Sequence, residues 1–141
     1  GNNAIVDWVM LEVRSAANSS LVIANKRALL QRDGDIVSSE DGISPVFLPG
    51  ISSGNYYLSV KHRNHLGNMI ATPVSLGTCA SAVIDFTSIP VWVKSGEVNP
   101  PRKMVGAVGT MWAADANYNK NVKYNGISND KDAVLSDLIL R

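Results

Sequence analysis

The 141-residue chain has one cysteine, Cys79, only 6% aromatic and 18% charged residues, and no long apolar run. A single thiol excludes an intramolecular disulfide and a cysteine-based zinc site, so stability must come from packing or from another ion. Thirteen basic and twelve acidic side chains leave a net charge of +1, too weak a field to attract nucleic acid or an anionic membrane. Apolar stretches such as Ala28-Leu29-Leu30 and residues 81–86 fall far short of the ~20 residues that span a bilayer, so no membrane insertion is expected. An initiating Met and a signal peptide are also missing. The chain begins Gly1-Asn2-Asn3, as expected of a segment excised from a longer protein.

What is present is enough apolar material, 45% of residues, for one core, arranged with a two-residue period. In residues 5–14, Val9, Leu11 and Val13 fall on one side and Trp8, Met10 and Glu12 on the other. Leu21 to Ala24 and Ala28 to Arg32 read as two short runs, followed by a turn at Asp33-Gly34-Asp35. A turn at Glu40-Asp41-Gly42 precedes a short strand at Val46-Phe47-Leu48. The clearest strand is Tyr56 to Arg63, with Tyr56, Leu58, Val60 and His62 towards the core and Tyr57, Ser59 and Lys61 towards water. A glycine-containing turn is expected at Asn64 to Asn68, then a strand from Met69 to Leu76 broken by Pro73, and another from Ala82 to Thr87. Six or seven short strands with regular turns predict a mainly β domain over residues 1–93. The expected architecture is an antiparallel β-sandwich of the immunoglobulin or prealbumin kind.

Composition changes after Trp92. Residues 94–141 read as a linker with Gly96, Pro100 and Pro101, one more strand or an extended segment at Val105 to Trp112, an Asp/Asn-rich loop and a short α-helix. They are expected to pack on or beside the sandwich. The helix is predicted over 130–140, where Val134, Leu135, Leu138 and Ile139 recur at helical spacing and Asn129 or Asp130 can cap the first amides.

The stretch Leu48-Pro49-Gly50-Ile51-Ser52-Ser53-Gly54-Asn55-Tyr56-Tyr57-Leu58-Ser59-Val60 resembles a signature of prealbumin-like and carboxypeptidase-regulatory-like sandwiches. Gly54 permits a sharp entry to the strand, and the Tyr56 hydroxyl can satisfy a nearby backbone group. A longer resemblance runs through Asp7-Trp8-Val9, Ala28 to Asp35, Gly42-Ile43-Ser44-Pro45, Tyr56-Tyr57, His62 to Gly67 and Asp85-Phe86-Thr87. Together these look like a module near the C-terminus of large secreted or surface proteins of Gram-negative bacteria, often followed by a type IX secretion sorting tail; no such tail is visible here. The resemblance implies an extracellular or outer-surface location, no catalytic activity, and other domains of a larger chain as partners. A host or cell-surface protein or glycan is a further expected partner.

Modules of that kind often end in a dockerin-like repeat, and Asp115 to Tyr124 with Asn129 to Asp132 occupy the equivalent place. The resemblance implies a calcium loop with Asp115, Asn117, Asn119 and Asn121 at alternating donor positions and Asp130 or Asp132 as the closing carboxylate. Asn119 replaces an Asp and Lys120 the usual turn glycine, which points to weak Ca2+ binding. The alternative is a polar loop whose side chains only cap turns and the helix start.

His62 and His65, three apart on an extended strand, are expected to point to opposite faces and to lack an acidic partner nearby in sequence. Cys79 reads as a partly buried thiol. Trp8, Trp92 and Trp112 could pack in the core or form a sugar-stacking platform, a choice that exposure decides. Three functions follow: a non-enzymatic structural or adhesion module, a carbohydrate- or protein-binding module, and, ranked last, a transthyretin-like hydrolase using His62, His65, Lys61 and Arg63.

Overall fold

The computed structural model describes all residues except 78–81, 98–99, 118, 120 and 140–141, and the side chains of 137–139. Cys79, Lys120 and the apolar contribution of Leu138 and Ile139 to the helix pattern therefore lie outside the described residues. The chain is mainly β, with antiparallel, sandwich-like architecture and one short C-terminal helix.

Strands β1 (Ile5–Ser15), β2 (Val22–Gln31), β3 (Ile36–Ser38), β4 (Gly54–His62), β5 (His65–Met69) and β6 (Val74–Leu76) form one six-stranded sheet. Its order is β3-β2-β1-β4-β5, with β6 also paired to β4. A second sheet is the hairpin of β7 (Arg102–Val105) and β8 (Val108–Met111), and α1 spans Asp130–Ile139.

The two runs expected around Asn25-Lys26-Arg27 merge into the single strand β2, because those three polar residues keep register with Glu12, Leu11 and Met10 of β1. Asp33-Gly34-Asp35 makes the expected turn, with Gly34 at φ +99° and the Gln31 amide bonded to the Asp35 carbonyl at 2.8 Å. The Tyr56 hydroxyl donates to the Ser52 carbonyl at 2.9 Å, and its ring lies 3.4 Å from where a Cβ on Gly54 would stand.

Three expected elements are replaced, and two more are reshaped: the Met69 to Leu76 strand keeps only Val74–Leu76 as β6 beyond Met69, and Val105 to Trp112 is bent at Gly106 into the β7–β8 hairpin. Val46-Phe47-Leu48 is not a strand; pairing stops at one bridge between Pro45 and Val37, since Pro45 has no amide to extend the ladder. Ala82 to Thr87 is a loop and turn rather than a strand. The Asp85 carboxylate accepts the Thr87 amide at 2.8 Å and the Thr87 and Ser88 hydroxyls at 2.6 and 2.7 Å, and this local closure wins over extension. The turn expected at Asn64 to Asn68 is instead the two-residue link Arg63-Asn64, and residues 65–69 are strand β5.

The core lies on one face of the six-stranded sheet. Val9, Ala28 and Val60 form its centre, with Leu11, Leu30, Ile36, Val46 and Phe86 packed on it. Val46 and Phe86 come from the loops that replaced the two expected strands, so irregular chain supplies part of the covering layer. The β7–β8 hairpin is pinned to that layer by Arg102, which donates to the carbonyls of Phe86 and Ile89 at 3.1 and 2.5 Å. Its guanidinium lies over Gly109, where an added Cβ would fall 2.3 Å from the Arg102 side chain, while the Gly109 amide reaches the Thr87 carbonyl at 2.8 Å.

The accessible surface is 9383 Å2, whereas a compact monomer of 15.1 kDa exposes about 7,100 Å2. Apolar side chains account for part of the difference: Leu21, Ile23, Phe47, Ile127, Val134 and Leu135 are all exposed. No helix among the described residues is long and apolar enough to cross a membrane.

With so few buried apolar residues, each one matters. Ile70 and Val13 are fully buried, and Ile70→Ala is expected to cost about 2–5 kcal/mol and Ile70→Val about 0.5–1.5 kcal/mol. Urea unfolding of both variants checks this, and a cost below 1 kcal/mol for Ile70→Ala would show that the site does not belong to the cooperative core.

Candidate functional site

The Asp/Asn loop is organised around Asp130, the first residue of α1, which is 3% exposed. Its Oδ1 accepts the amides of Ala116 and Asn117 at 2.8 and 3.4 Å, and its Oδ2 accepts the Lys123 amide at 2.7 Å. One carboxylate thus ties both ends of the loop to the helix start. Asn117 and Asn119 repeat a smaller pattern: each side-chain oxygen accepts the amide two residues on, at 3.0 and 2.9 Å. Both side-chain amides donate to the Ser128 carbonyl, at 2.9 and 3.0 Å.

Asn129 is the helix cap: its oxygen accepts the Asp132 amide at 2.8 Å and its nitrogen donates to the Asp132 carboxylate at 2.7 Å. Asp132 faces outward onto Asn129 and Lys131, and those two hydrogen bonds hold its carboxyl below the ordinary value. Of the sequence-derived ligand set, Asp115 and Asp130 are buried at the base of the loop, Asn117 and Asn119 line it, Asn121 is exposed and donates its backbone amide to the Asn119 side chain, and Asp132 lies apart. Among the described residues no three His, Cys, Asp or Glu groups cluster as a metal site. The loop's oxygen-bearing groups are two carboxylates, two side-chain amides and backbone carbonyls, those of Asp130, Asn117, Asn119 and Ser128 already accepting hydrogen bonds within the loop. That donor set matches in kind the hard-oxygen preference of calcium.

A second constellation was hidden from sequence reading. The Arg63-Asn64 turn places His62 and His65 directly opposite each other across β4 and β5, on the same face, with Nδ1 atoms 2.8 Å apart. His62 Nε2 lies 3.1 Å from the Asp7 carboxylate, supplied by β1. The expectation of opposite faces fails because a hairpin, not a continuous strand, joins the two histidines, while the acidic partner comes from β1, far away in sequence. The Asn64 amide points at His62 Nδ1 at 3.2 Å, which makes that nitrogen an acceptor and puts the His62 proton on Nε2 facing Asp7. His65 Nδ1 then donates to His62, so the row runs Asp7, His62, His65.

Asp7 is held at about 2, chiefly by the Trp8 amide at 2.8 Å and by the Arg63 guanidinium. Burial holds His65 below its usual value, helped by the neighbouring His62 and opposed by Asp7. Lys61 does not join this row. It points to the other face, where it and Arg14 each contact the Glu12 carboxylate at 2.5 Å. Burial acts to raise the Glu12 carboxyl, but the two cations outweigh it and leave it lowered.

That other face is the third feature. Reading across the ladders, Trp8 stands beside Leu29, Met10 is flanked by Arg27 and Lys61, and Glu12 is flanked by Asn25 and Ser59, with Met69 beyond. Ser59, expected in water, is buried in this row. The sheet then continues as extended chain past β5: the Trp92 amide bonds the Met69 carbonyl at 2.7 Å, and the Leu66 amide bonds the Trp112 carbonyl at 2.8 Å. Because Ile70 pairs with Val91 and His65 with Ala113, strand alternation turns Trp92 and Trp112 to the same face as Trp8. The three indoles line one cleft of about 1070 Å3. Trp8 and Trp92 are 54% and 41% exposed, so neither is a core residue.

No family model matches the chain, and neither the curated proteins nor the solved structures include a match.

The histidine row has a pH consequence. A histidine whose folded pKa lies below its unfolded value near 6.5 binds more protons when unfolded, so stability is full above that value and falls as pH drops through it. Urea unfolding at pH 7.5, 6.5 and 5.5 should show a decline on acidification that is reduced in His65→Gln. An equal slope in both proteins would remove His65 as its source.

Proposed function

We propose that the chain is a non-enzymatic structural or adhesion module of a larger extracellular protein of Gram-negative bacteria, with its Asp/Asn loop acting as a calcium-stabilised cap. The observation that carries this reading is the surface: a chain that leaves about 2,300 Å2 more exposed than a compact monomer of its mass, with large apolar side chains among the exposed ones, is suited to burial against neighbouring domains. The exposed Val134 and Leu135 of α1 and the exposed Leu21 and Ile23 near the β1–β2 tip are the surfaces such neighbours would cover. Extracellular placement rests on the resemblance carried by residues 7–9, 28–35, 42–45, 62–67 and 85–87.

Calcium, when bound, would be held by the carboxylates of Asp115 and Asp130 and the amide oxygens of Asn117 and Asn119, and would supply charge neutralisation at the base of the loop. The protein's own part is to hold the loop closed through the three backbone amides bonded to Asp130. A second reading, a carbohydrate- or protein-binding module, is supported by the exposed Trp8 and Trp92 on one cleft.

Calorimetric titration of the chelator-treated chain with Ca2+, with Mg2+ as control, tests the cap. Saturable calcium-specific heat is expected, with stabilisation of about 2.7 kcal/mol at free calcium 100-fold above Kd, abolished in Asp115→Asn. Absence of heat and of any Tm shift at millimolar calcium would reduce the loop to a hydrogen-bonded cap.

A further inference from the structure

We propose that the tryptophan face of the six-stranded sheet binds an acidic oligosaccharide, a chain of uronate or sulfated sugars, with Trp8 and Trp92 stacking on its rings; this rests on the binding-module reading above. An indole left half in water on a rigid strand offers a flat apolar surface that matches the C–H face of a pyranose ring. Here three indoles share one face, fixed there by register rather than by loop placement.

The spacing favours an extended ligand. Trp8 and Trp92 are separated by β4 and β5 and by two side-chain rows, which at sheet spacings puts them roughly 20 Å apart. No single sugar spans that distance, whereas an oligomer lying diagonally across the strands does.

Charge favours an acidic one. Glu12, the carboxylate beneath this face, lies against two cations, Arg14 and Lys61, so the trio carries a net positive charge. Arg27 stands exposed in the same row as Lys61, on the other side of Met10. The other lining cations are matched by carboxylates: Arg63 contacts Asp7 at 3.0 Å, and Lys94 approaches Glu97 at 3.9 Å. Lys61 therefore sits between the two exposed indoles, and Arg27 flanks Trp8 from the β2 side.

Two other polymers fit less well. A peptide added as an extra strand would need the β5 edge, which residues 90–92 and 112–114 already occupy through backbone hydrogen bonds. Single-stranded nucleic acid also stacks and carries charge, but a chain of net charge +1 gives little of the non-specific attraction on which such binding depends.

The test is tryptophan fluorescence and calorimetry of the full chain against a heparin-derived hexasaccharide, hexagalacturonate, uncharged maltohexaose, oligo-dT and a proline-rich peptide. The expected result is saturable binding of an acidic saccharide that weakens with added salt. Trp8→Ala and Trp92→Ala should each weaken it about tenfold and Arg27→Gln severalfold, each variant being compared below its own Tm so that lost packing is not read as lost binding. Binding of maltohexaose equal to that of the acidic sugars, or acidic-sugar binding unaffected by both tryptophan variants, overturns the proposal. Tryptophan-dependent binding of only the peptide or oligo-dT overturns it too, yet leaves a binding module; no binding by any probe removes both.

Discussion

The pairing of β1 with β4 sets Val9 opposite His62, Leu11 opposite Val60 and Val13 opposite Leu58, and every feature of the molecule takes its side from that register. Side chains alternate along a strand, so a slip of one residue would turn Val9, Leu11 and Val13 out of the core and Glu12 into it. Burying Glu12 beneath the loop layer, away from Lys61 and Arg14, would strand a carboxylate in apolar surroundings. The apolar pattern and the ion trio thus specify the same alignment from opposite faces.

That division of labour explains how polar groups come to be buried in so small a fold. On the core face, the ionisable groups are gathered at one end, where Asp7, His62 and His65 follow one another across three strands, while Asn68 and Ser38 are buried opposite Val60 and Ala28. On the outer face Glu12 is screened from water by the aliphatic stems of its own cationic partners. Neither group depends on a deep interior. Both are carried at the boundary of the sheet, where a hairpin or a neighbouring strand supplies the matching charge.

Much of the sheet was legible in the sequence, and the failures share a cause. Alternation around Val9 and Val60, the Gly34 turn, and the helix beginning at Asn129-Asp130 depend on neighbours within a few residues, so local pattern predicts them. The short β5 was missed because Gly67 attracted the turn to itself, whereas the chain turns at Arg63-Asn64 and uses Gly67 where a Cβ would stand 3.1 Å from Lys61. Ala82 to Thr87 alternates like a strand, yet the Asp85 side chain closes a turn that alternation does not register. The histidine row and the tryptophan face were illegible for a stronger reason. Each joins residues distant in sequence, 55 apart for Asp7 and His62 and 104 for Trp8 and Trp112, and only the non-local ladders determine that Asp7 meets His62 or that Trp92 and Trp112 face the same way as Trp8. For the Asp/Asn loop the sequence named the residues but left Asp130 and Asp132 equivalent; the helix start separates them by pointing one inward and one out.

The position of Asp130 also imposes an order of events. The amides it satisfies lie seven, thirteen and fourteen residues earlier in the chain, so while the polypeptide emerges from its N-terminus the loop has no acceptor for them. The sheet can be complete by residue 113, but the loop stays open until the start of α1 arrives. The start of α1 is thus what closes the loop, and a chain cut short before residue 130 would leave the amides of Ala116, Asn117 and Lys123 without that acceptor.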